Sequence, residues 1–296
     1  MKKEKYSVLM SVYKSEKPSF LKQSVKSMFE QTVPTDDFVL ICDGPLTSRL
    51  DDTIAEMKKE YGDRLRVLRQ EKNHGLGHCL KIGVLECKND LIARMDSDDI
   101  SRKDRCEIEM DYLSKHPDIS VVGSLIEDFR VTIDDVESAR KVPETNDEIV
   151  KYAKRRNPIN HPSVMFRKQD IVAAGNYPEV RKCQDWYLWT NLLVNGYKLY
   201  NIQDVLVYMR EDETTFKRRS GWRYFKIQKN LFKEMRRRSF ITIPQYVSNV
   251  SVRFCSAILP NGVRQMIFKT FMREKTKNVH NSSNNVKNLG FGDRKG

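Results

Sequence analysis

The 296-residue sequence predicts an α/β fold built on a largely parallel, Rossmann-like sheet flanked by helices. Three observations carry that prediction. Apolar β-rich runs and amphipathic helical segments alternate four times over roughly the first 95 residues, the pattern of strand–helix–strand crossovers. Two of the runs end in aspartates, Asp43 and then Asp96, Asp98 and Asp99. The composition, 39% hydrophobic and 31% charged, is that of a globular chain with a sizeable core.

Each element follows from local pattern. YSVLMSVY (6–13) is a buried strand, and KPSFLKQSVKSMFEQT a helix with Phe20, Leu21, Val25, Met28 and Phe29 near helical spacing and Ser19 as expected N-cap after Pro18. DFVLICDG (37–44) is the second strand, closed by Asp43-Gly44, and SRLDDTIAEMKKEYG a helix stopped by glycine. RLRVLRQ, GLGHCLKIGVLECK and DLIARMD read as strand, helix and strand. A helix over 101–117, a strand in ISVVGSLIEDF and a short helix near 145–156 come next. NPINHPSVMFRKQDIVAAGNYP then holds a strand (Ser163–Phe166) and a helix, CQDWYLWTNLLVNGYKLYNI a helix ending at Asn195-Gly196, and DVLVYMR the last strand. Ligands of such sheets bind beyond the carboxyl ends of the strands, which puts Asp43 and the cluster 96–99 on the ligand-facing rim.

The formal net charge of +13 is concentrated, with sixteen Lys/Arg against two Asp/Glu in residues 217–279 and a near-neutral body before them. The expected division is a catalytic α/β domain at 1–215, a basic amphipathic helical region at 216–279 and a disordered tail at 280–296. In 263–272, Val263, Met266, Ile267, Thr270 and Phe271 make one stripe, while Phe268 and Met272 fall off it. Acyl chains and anionic headgroups, or packing on the main domain, would cover such a region. No apolar run is long enough for a membrane-spanning helix or a secretory leader. Cys42, Cys79, Cys87, Cys106, Cys183 and Cys255 form no CxxC pair, which fits reduced thiols in a cytoplasm. Basic charge alone would also suit a nucleic-acid binder. Aspartates on the ligand rim would repel phosphates unless a metal intervened, so no nucleic acid is expected as partner.

SVLMSVYKSEKPSFLKQSVKSMFEQT, LICDG, NHGLGHCLKIG, MDSDD and QDWYLW, in that order, resemble the family 2 glycosyltransferases of GT-A fold over residues 6–210. NP-x-x-HPSVMFR further resembles a subgroup that builds bacterial surface polysaccharides, of amylovoran type. The resemblance implies transfer, with inversion, of a sugar from a UDP-sugar to a saccharide acceptor held on a lipid at the inner face of the plasma membrane. A nucleotidyltransferase on a similar sheet is the competing enzyme. It would want a glycine-rich phosphate loop after the first strand, and SVYKSEKPSF has no glycine.

Asp98 is then the expected ligand of a divalent Mn²⁺ or Mg²⁺, a hard cation that takes carboxylates plus substrate phosphates. Asp96 is expected on the ribose or in a water-mediated metal contact, and Asp99 on the metal or capping the helix near Ser101. Asp43 is expected to accept the ring N–H of the base, a donor that uracil presents, or else to shape an Asx-turn. Ser11 and Tyr13 flank the base, and Asn73 and Gly75 form the turn beside the nucleotide. Asp185 is the general base that takes the acceptor's proton. The family usually has Glu-Asp there, and this chain has Gln184-Asp185. His161, Gln184 and Trp186 are placed near acceptor or donor, with core roles open for His161 and for both Trp186 and Trp189. Many relatives carry a histidine after Tyr-x-Arg. This chain does not, leaving Arg210, Arg218 and Arg219 as candidates for the diphosphate.

Overall fold

The computed structural model describes residues 4–130, 133, 136–211, 221–258 and 274–275. β1 (Tyr6–Val12) is central. β2 (Asp37–Cys42) and β3 (Leu65–Arg69) lie parallel on one side of it and β4 (Leu91–Asp96) on the other. Helices α1 (Pro18–Phe29), α2 (Ser48–Tyr61) and α3 (Leu76–Glu86) connect these strands. Helices on both faces explain why β1, β2 and β4 are buried almost throughout and read as continuous apolar runs. The sheet continues beyond β4 with β8 (Met165–Arg167), antiparallel, then β6 (Ile119–Phe129), β7 (Val136–Arg140) and β10 (Glu274–Lys275). β9 (Lys198–Arg210) runs parallel to β6 and pairs at its far end with the two-residue β5 (Ile100–Ser101).

Side-chain alternation splits the core. Val8, Met10 and Val12 of β1 meet α1 and α2 through Leu21, Val25, Leu50 and Ile54. Leu9, between them, faces the other way with Val39, Ile41 and Ile92, against Cys79 and Leu80 of α3 and Trp189 of α7 (Gln184–Val194). Gly83 makes that second layer possible, because a Cβ there would lie 2.3 Å from Leu9 Cδ1. None of the six cysteines is in a disulfide.

α4 (Arg105–Lys115), α5 (Asn146–Ala153) and α6 (Lys168–Ala173) complete the main body. A helical hairpin, α8 (Gly221–Arg237) and α9 (Ile243–Ile258), packs on it through Trp186, Leu231, Phe232, Met235 and Ile241. The basic region is therefore joined to α7 by a shared core. Residues 259–273, with the stripe at 263–272, and the tail 280–296 lie outside the described residues.

Three local readings are corrected. α1 begins at Pro18 itself, with Lys17 as N-cap, because proline is pre-set for the first helical position. Residues 100 and 101 pair with β9, so the following helix starts only at Arg105. Asp99 consequently caps no helix; its Oδ1 accepts the Arg210 N–H at 2.9 Å, and Asp104 is the N-cap. β9 runs from Lys198, six residues earlier than the apolar run DVLVYMR indicates.

Candidate active site

The sheet register brings the rim residues level. Ser11 pairs with Ile41 on one side and with Asp96 on the other, and Val12 with Cys42, directly before Asp43. The Asp43 amide donates to Val12 O at 2.8 Å, which keeps the β2 exit close to β1. Its carboxylate organises the turn before α3. Asn73 Nδ2 donates to Oδ2 at 2.8 Å, the His74 N–H to Oδ1 at 2.7 Å, and the Gly75 N–H reaches both oxygens at 3.0 and 3.2 Å. Three donors on a carboxylate with about four lone-pair directions leave roughly one for a ligand N–H. Gly44, at φ +84°, brings the β2 exit so near this turn that a Cβ would meet Asn73 N at 2.7 Å. Asp43, Asn73 and Gly75 are thus brought together, and the donors on the Asp43 carboxylate come from this distant turn and not from an Asx-turn of its own, since residue 45 is a proline without an N–H. Ser11 lies beside the Cys79 thiol, which burial foremost, and then the Asp43 charge, push up to about 12. Tyr13 follows β1 and is exposed.

The carboxylates at the end of β4 differ in their surroundings. Asp96 is bound bidentately by Arg94, whose guanidinium is buried, one oxygen lying 2.9 Å from Nη1. The Arg94 pKa is raised: burial opposes its charge, and Asp96 with Tyr177 and Asp99 together outweigh burial. Ser24 Oγ donates to Asp96 O at 2.7 Å, tying α1 to the strand end. Asp98 is half-buried, and its carbonyl accepts Arg210 Nε at 3.1 Å. Asp99 is buried, and its Oδ2 has no hydrogen-bond partner among the described residues. Burial first, then Asp98 and Asp96, raise the Asp99 pKa well above the usual carboxylate range. Ser97 Oγ donates to Glu16 Oε2 at 2.5 Å, closing the loop from the β1–α1 side.

Arg210 locks this loop from outside. Its guanidinium lies 3.9 Å from the Phe20 ring centroid and 4.5 Å from that of Phe129, and it donates to Gln23 Oε1 at 2.8 Å. Arg218 and Arg219, the other arginines expected at a diphosphate, lie outside the described residues.

Among the described residues no three His, Cys, Asp or Glu side chains are grouped to hold a metal unaided. The donor set still suits a hard cation that keeps open positions for phosphate oxygens. It offers Asp98 on the rim and an orphaned buried oxygen on Asp99, with Asp96 already committed to Arg94.

Asp185 lies in the first turn of α7, after Cys183 in the left-handed region at φ +60°. The N-cap of α7 is Cys183, so Asp185 sits inside the first turn and does not cap the helix. Asn157 Nδ2 donates to Asp185 Oδ2 at 2.5 Å. One close approach and one electrostatic neighbourhood relate this helix to the other rim residues. Gly77, in the first turn of α3, packs so tightly against the segment before α7 that a Cβ would meet Pro178 O at 2.4 Å and Gln184 Cβ at 3.4 Å. Tyr177, buried in the same segment, feels Arg94, Asp185 and Asp96 at once; its pKa is raised, by burial first.

His161 is buried, hydrogen-bonded through Nε2 to Tyr177 Oη at 3.0 Å and edge-on to Trp189. Burial, then the Arg94 charge, push its pKa well below the usual histidine value. It braces the site from within and does not face an acceptor. Gln184 is buried between α7 and the Gly77 turn, where a neutral amide costs less than a second acid. Trp186 does not line an acceptor surface: it is buried, its indole N–H donates to Ala153 O at 3.0 Å, and its ring stands against Phe232. Trp189 is core as well.

Sequence reading missed Arg94, Asn157 and Tyr177. Arg94 carried a signal, since residues two apart on a strand share a face, which sets a cation under Asp96. Asn157, 28 residues before Asp185, carried none.

The family model described as "Glycosyl transferase family 2" matches residues 7–173. A UDP-Gal:alpha-D-GlcNAc-diphosphoundecaprenol beta-1,3-galactosyltransferase of Escherichia coli is 36% identical, covering 91% of this chain and 97% of that protein. The amylovoran biosynthesis glycosyltransferase AmsE of Erwinia amylovora is 31% identical over 89% of this chain and 98% of its own. Among solved structures, S. aureus TarS in complex with UDP-GlcNAc superposes with TM-score 0.60 at 16% identity, covering 94% of this chain and 73% of that one. The mannosyltransferase PcManGT from Pyrobaculum calidifontis, in complex with GDP-Man and Mn²⁺, gives 0.62 at 13% identity, covering 96% and 87%. At such identities the structures speak for the fold alone, a GT-A-like α/β architecture. The sequence relatives go further: this chain belongs to glycosyl transferase family 2 and is a glycosyltransferase.

Proposed function

We propose that the enzyme moves a sugar, with inversion, from a UDP-sugar to a lipid-linked saccharide in bacterial surface-polysaccharide assembly, with Asp185 as general base. One observation carries this reading: the Asp43 turn and the β4 carboxylates share one sheet rim, the Asp185 helix enters beside Gly77 of the α3 turn, and both Asp96 and Asp185 are within electrostatic reach of Tyr177. The fold neighbours hold both uridine and guanosine nucleotides, so the fold does not choose the base. Support for uracil comes from Asp43, whose remaining lone pair suits a ring N–H, and from the UDP-Gal donor in the E. coli relative's name. The same name carries a diphosphate lipid acceptor, which motivates a lipid-linked one here.

Asp98 and Asp99 would hold a divalent cation, Mn²⁺ or Mg²⁺, which when bound neutralises charge on the departing diphosphate. The chain's own residues do the rest. Asn73 and Gly75 hold the Asp43 carboxylate toward the base, and Arg94 fixes Asp96 for the donor's ribose side. Asn157 fixes one oxygen of Asp185, so that the carboxylate meets the acceptor hydroxyl in a single orientation and takes its proton as the oxygen attacks the anomeric carbon.

Contact with an anionic membrane surface belongs to the same reading. Lys226, Lys229, Lys233 and Arg237 recur at helical spacing along α8, and Trp222 of the same helix and Val247 and Ile258 of α9 are exposed. No helix among the described residues is long and apolar enough to cross a membrane. The test is UDP release from a panel of UDP-sugars, with Mn²⁺ present or chelated, for wild type and Asp185→Asn. Metal-dependent turnover of one UDP-sugar that Asp185→Asn abolishes is expected. Turnover of none, or turnover untouched by that substitution, would overturn the reading.

A further inference from the structure

We infer that Arg156 and Arg253, with Lys182 beside them, form a second anion subsite next to Asp185 that holds the diphosphate of the acceptor. The inference deepens the function proposed above, since it rests on an acceptor hydroxyl reaching Asp185.

The turn after α5 reads Lys154-Arg155-Arg156-Asn157, so three cations directly precede the residue that fixes the base. α9 crosses this turn and brings a fourth. Asn249 Nδ2 donates to Lys154 O at 2.7 Å and Arg253 Nη2 to Arg155 O at 3.0 Å. With the Trp186 indole on Ala153 O, side chains from α7 and α9 satisfy the carbonyls that the end of α5 leaves open. On the other flank, Cys183, two residues before Asp185, donates through its thiol to the Tyr224 hydroxyl of α8 at 3.8 Å, and Lys182 Nζ sits 5.6 Å from the Tyr224 ring centroid. Arg253 is within electrostatic reach of Tyr224, Arg156 and Cys183 together.

Charge is poorly balanced there. Arg155 and Arg156 are exposed and Arg253 is half-buried. Among the described residues none of the three forms an ion pair with a carboxylate. Arg253 gives one hydrogen bond to a neutral carbonyl, and its pKa is lowered by burial first and by the like charge of Arg156. Holding the half-buried Arg253 guanidinium near the like charge of the exposed Arg156 disfavours the empty site, and an anion that bridges them reduces that cost. Guanidinium forks match phosphate oxygens, and two or three cations match the charge of a diphosphate. The donor's diphosphate is already assigned to the carboxylate rim of β4, so this cluster serves a different anion. Phe254, adjacent to Arg253, stacks edgewise with Trp222 and Phe225, an apolar surface for the hydrocarbon that follows an acceptor's diphosphate.

The probe is octyl diphosphate, titrated calorimetrically into the full chain with EDTA present so that no metal-held diphosphate contributes. Wild type should bind it, and Arg156→Gln, at an exposed position, should weaken binding about tenfold, the equivalent of one charge-assisted contact. Arg253→Gln, which keeps a donor for Arg155 O, should do the same. UDP binding with Mn²⁺, measured on the same variants, should change less than twofold. Unchanged octyl diphosphate affinity would overturn the subsite. Equal loss of UDP affinity would assign the arginines to the donor and overturn it too. Lost binding to phosphatidylglycerol vesicles, with octyl diphosphate binding retained, would assign them to headgroups and likewise overturn it. Absence of sugar-nucleotide turnover, by contrast, would strike only the function proposed above.

Discussion

Asp185 and the hydrogen bond it accepts from Asn157 show how one residue far away in sequence sets the chemistry of another. Asp185→Asn removes the proton acceptor while keeping the shape, and transfer should fall on the order of 10²–10⁴-fold with the melting temperature little changed, as measured by UDP release and thermal unfolding. His161 gives a second test at this scale. Its pKa is depressed in the folded state, by burial and then Arg94, so the unfolded chain binds the proton more readily. The stability it supports is present above the unfolded value of about 6.5 and is lost as pH falls below it. The melting-temperature advantage of wild type over His161→Gln should therefore shrink from pH 7 to pH 5; a constant gap would contradict a buried neutral imidazole. Asp43, Asp96, Asp98 and Asp99 were legible in the sequence because they follow strand runs, where pattern fixes the rim, and Asp185 was legible through the family resemblance of QDWYLW. Arg94 was legible in principle, through period two. Asn157 and Tyr177 were not, since nothing local tells that the α5 turn and the segment before α7 converge.

At the scale of elements, close backbone approach binds the two halves of the site. Gly77 in α3 faces the carbonyls of Pro178 and Val180, which cannot rotate aside as a side chain can. Gly77→Ala should cost about 1–3 kcal/mol by urea unfolding and should weaken UDP binding together with transfer, because the α3 turn and the α7 entry must separate. A neutral substitution would mean that the two elements are not packed as described. Helix and strand identities followed from periodicity nearly everywhere. The exceptions include Ile100–Ser101, which pair with Tyr208 and Val207, the early part of β9, which pairs with β6, and Val136–Arg140, which pairs with β6 as well; partners outside the segment itself leave no local trace.

For the molecule as a whole, the basic C-terminal hairpin is part of the catalytic body. Trp186, one residue from Asp185, shares a core with Leu231, Phe232, Met235 and Ile241. Phe232→Ala should destabilise by about 3–5 kcal/mol and, at temperatures where the protein stays folded, lower transfer more than UDP binding, as calorimetry and kinetics read side by side would show. Net charge identified the region as distinct but gave no sign of this contact, because Lys226, Lys229 and Lys233 occupy the solvent side of α8 while its core residues alternate among them. The claim that unites all three scales is that rim carboxylates retain a dication, which in turn retains the nucleotide diphosphate. Calorimetric titration of UDP into wild type and Asp98→Asn, each with Mn²⁺ and with EDTA, tests it most directly. Tight binding by wild type only when Mn²⁺ is present, and its loss in Asp98→Asn, is the predicted result; UDP affinity indifferent both to the metal and to Asp98 would contradict it.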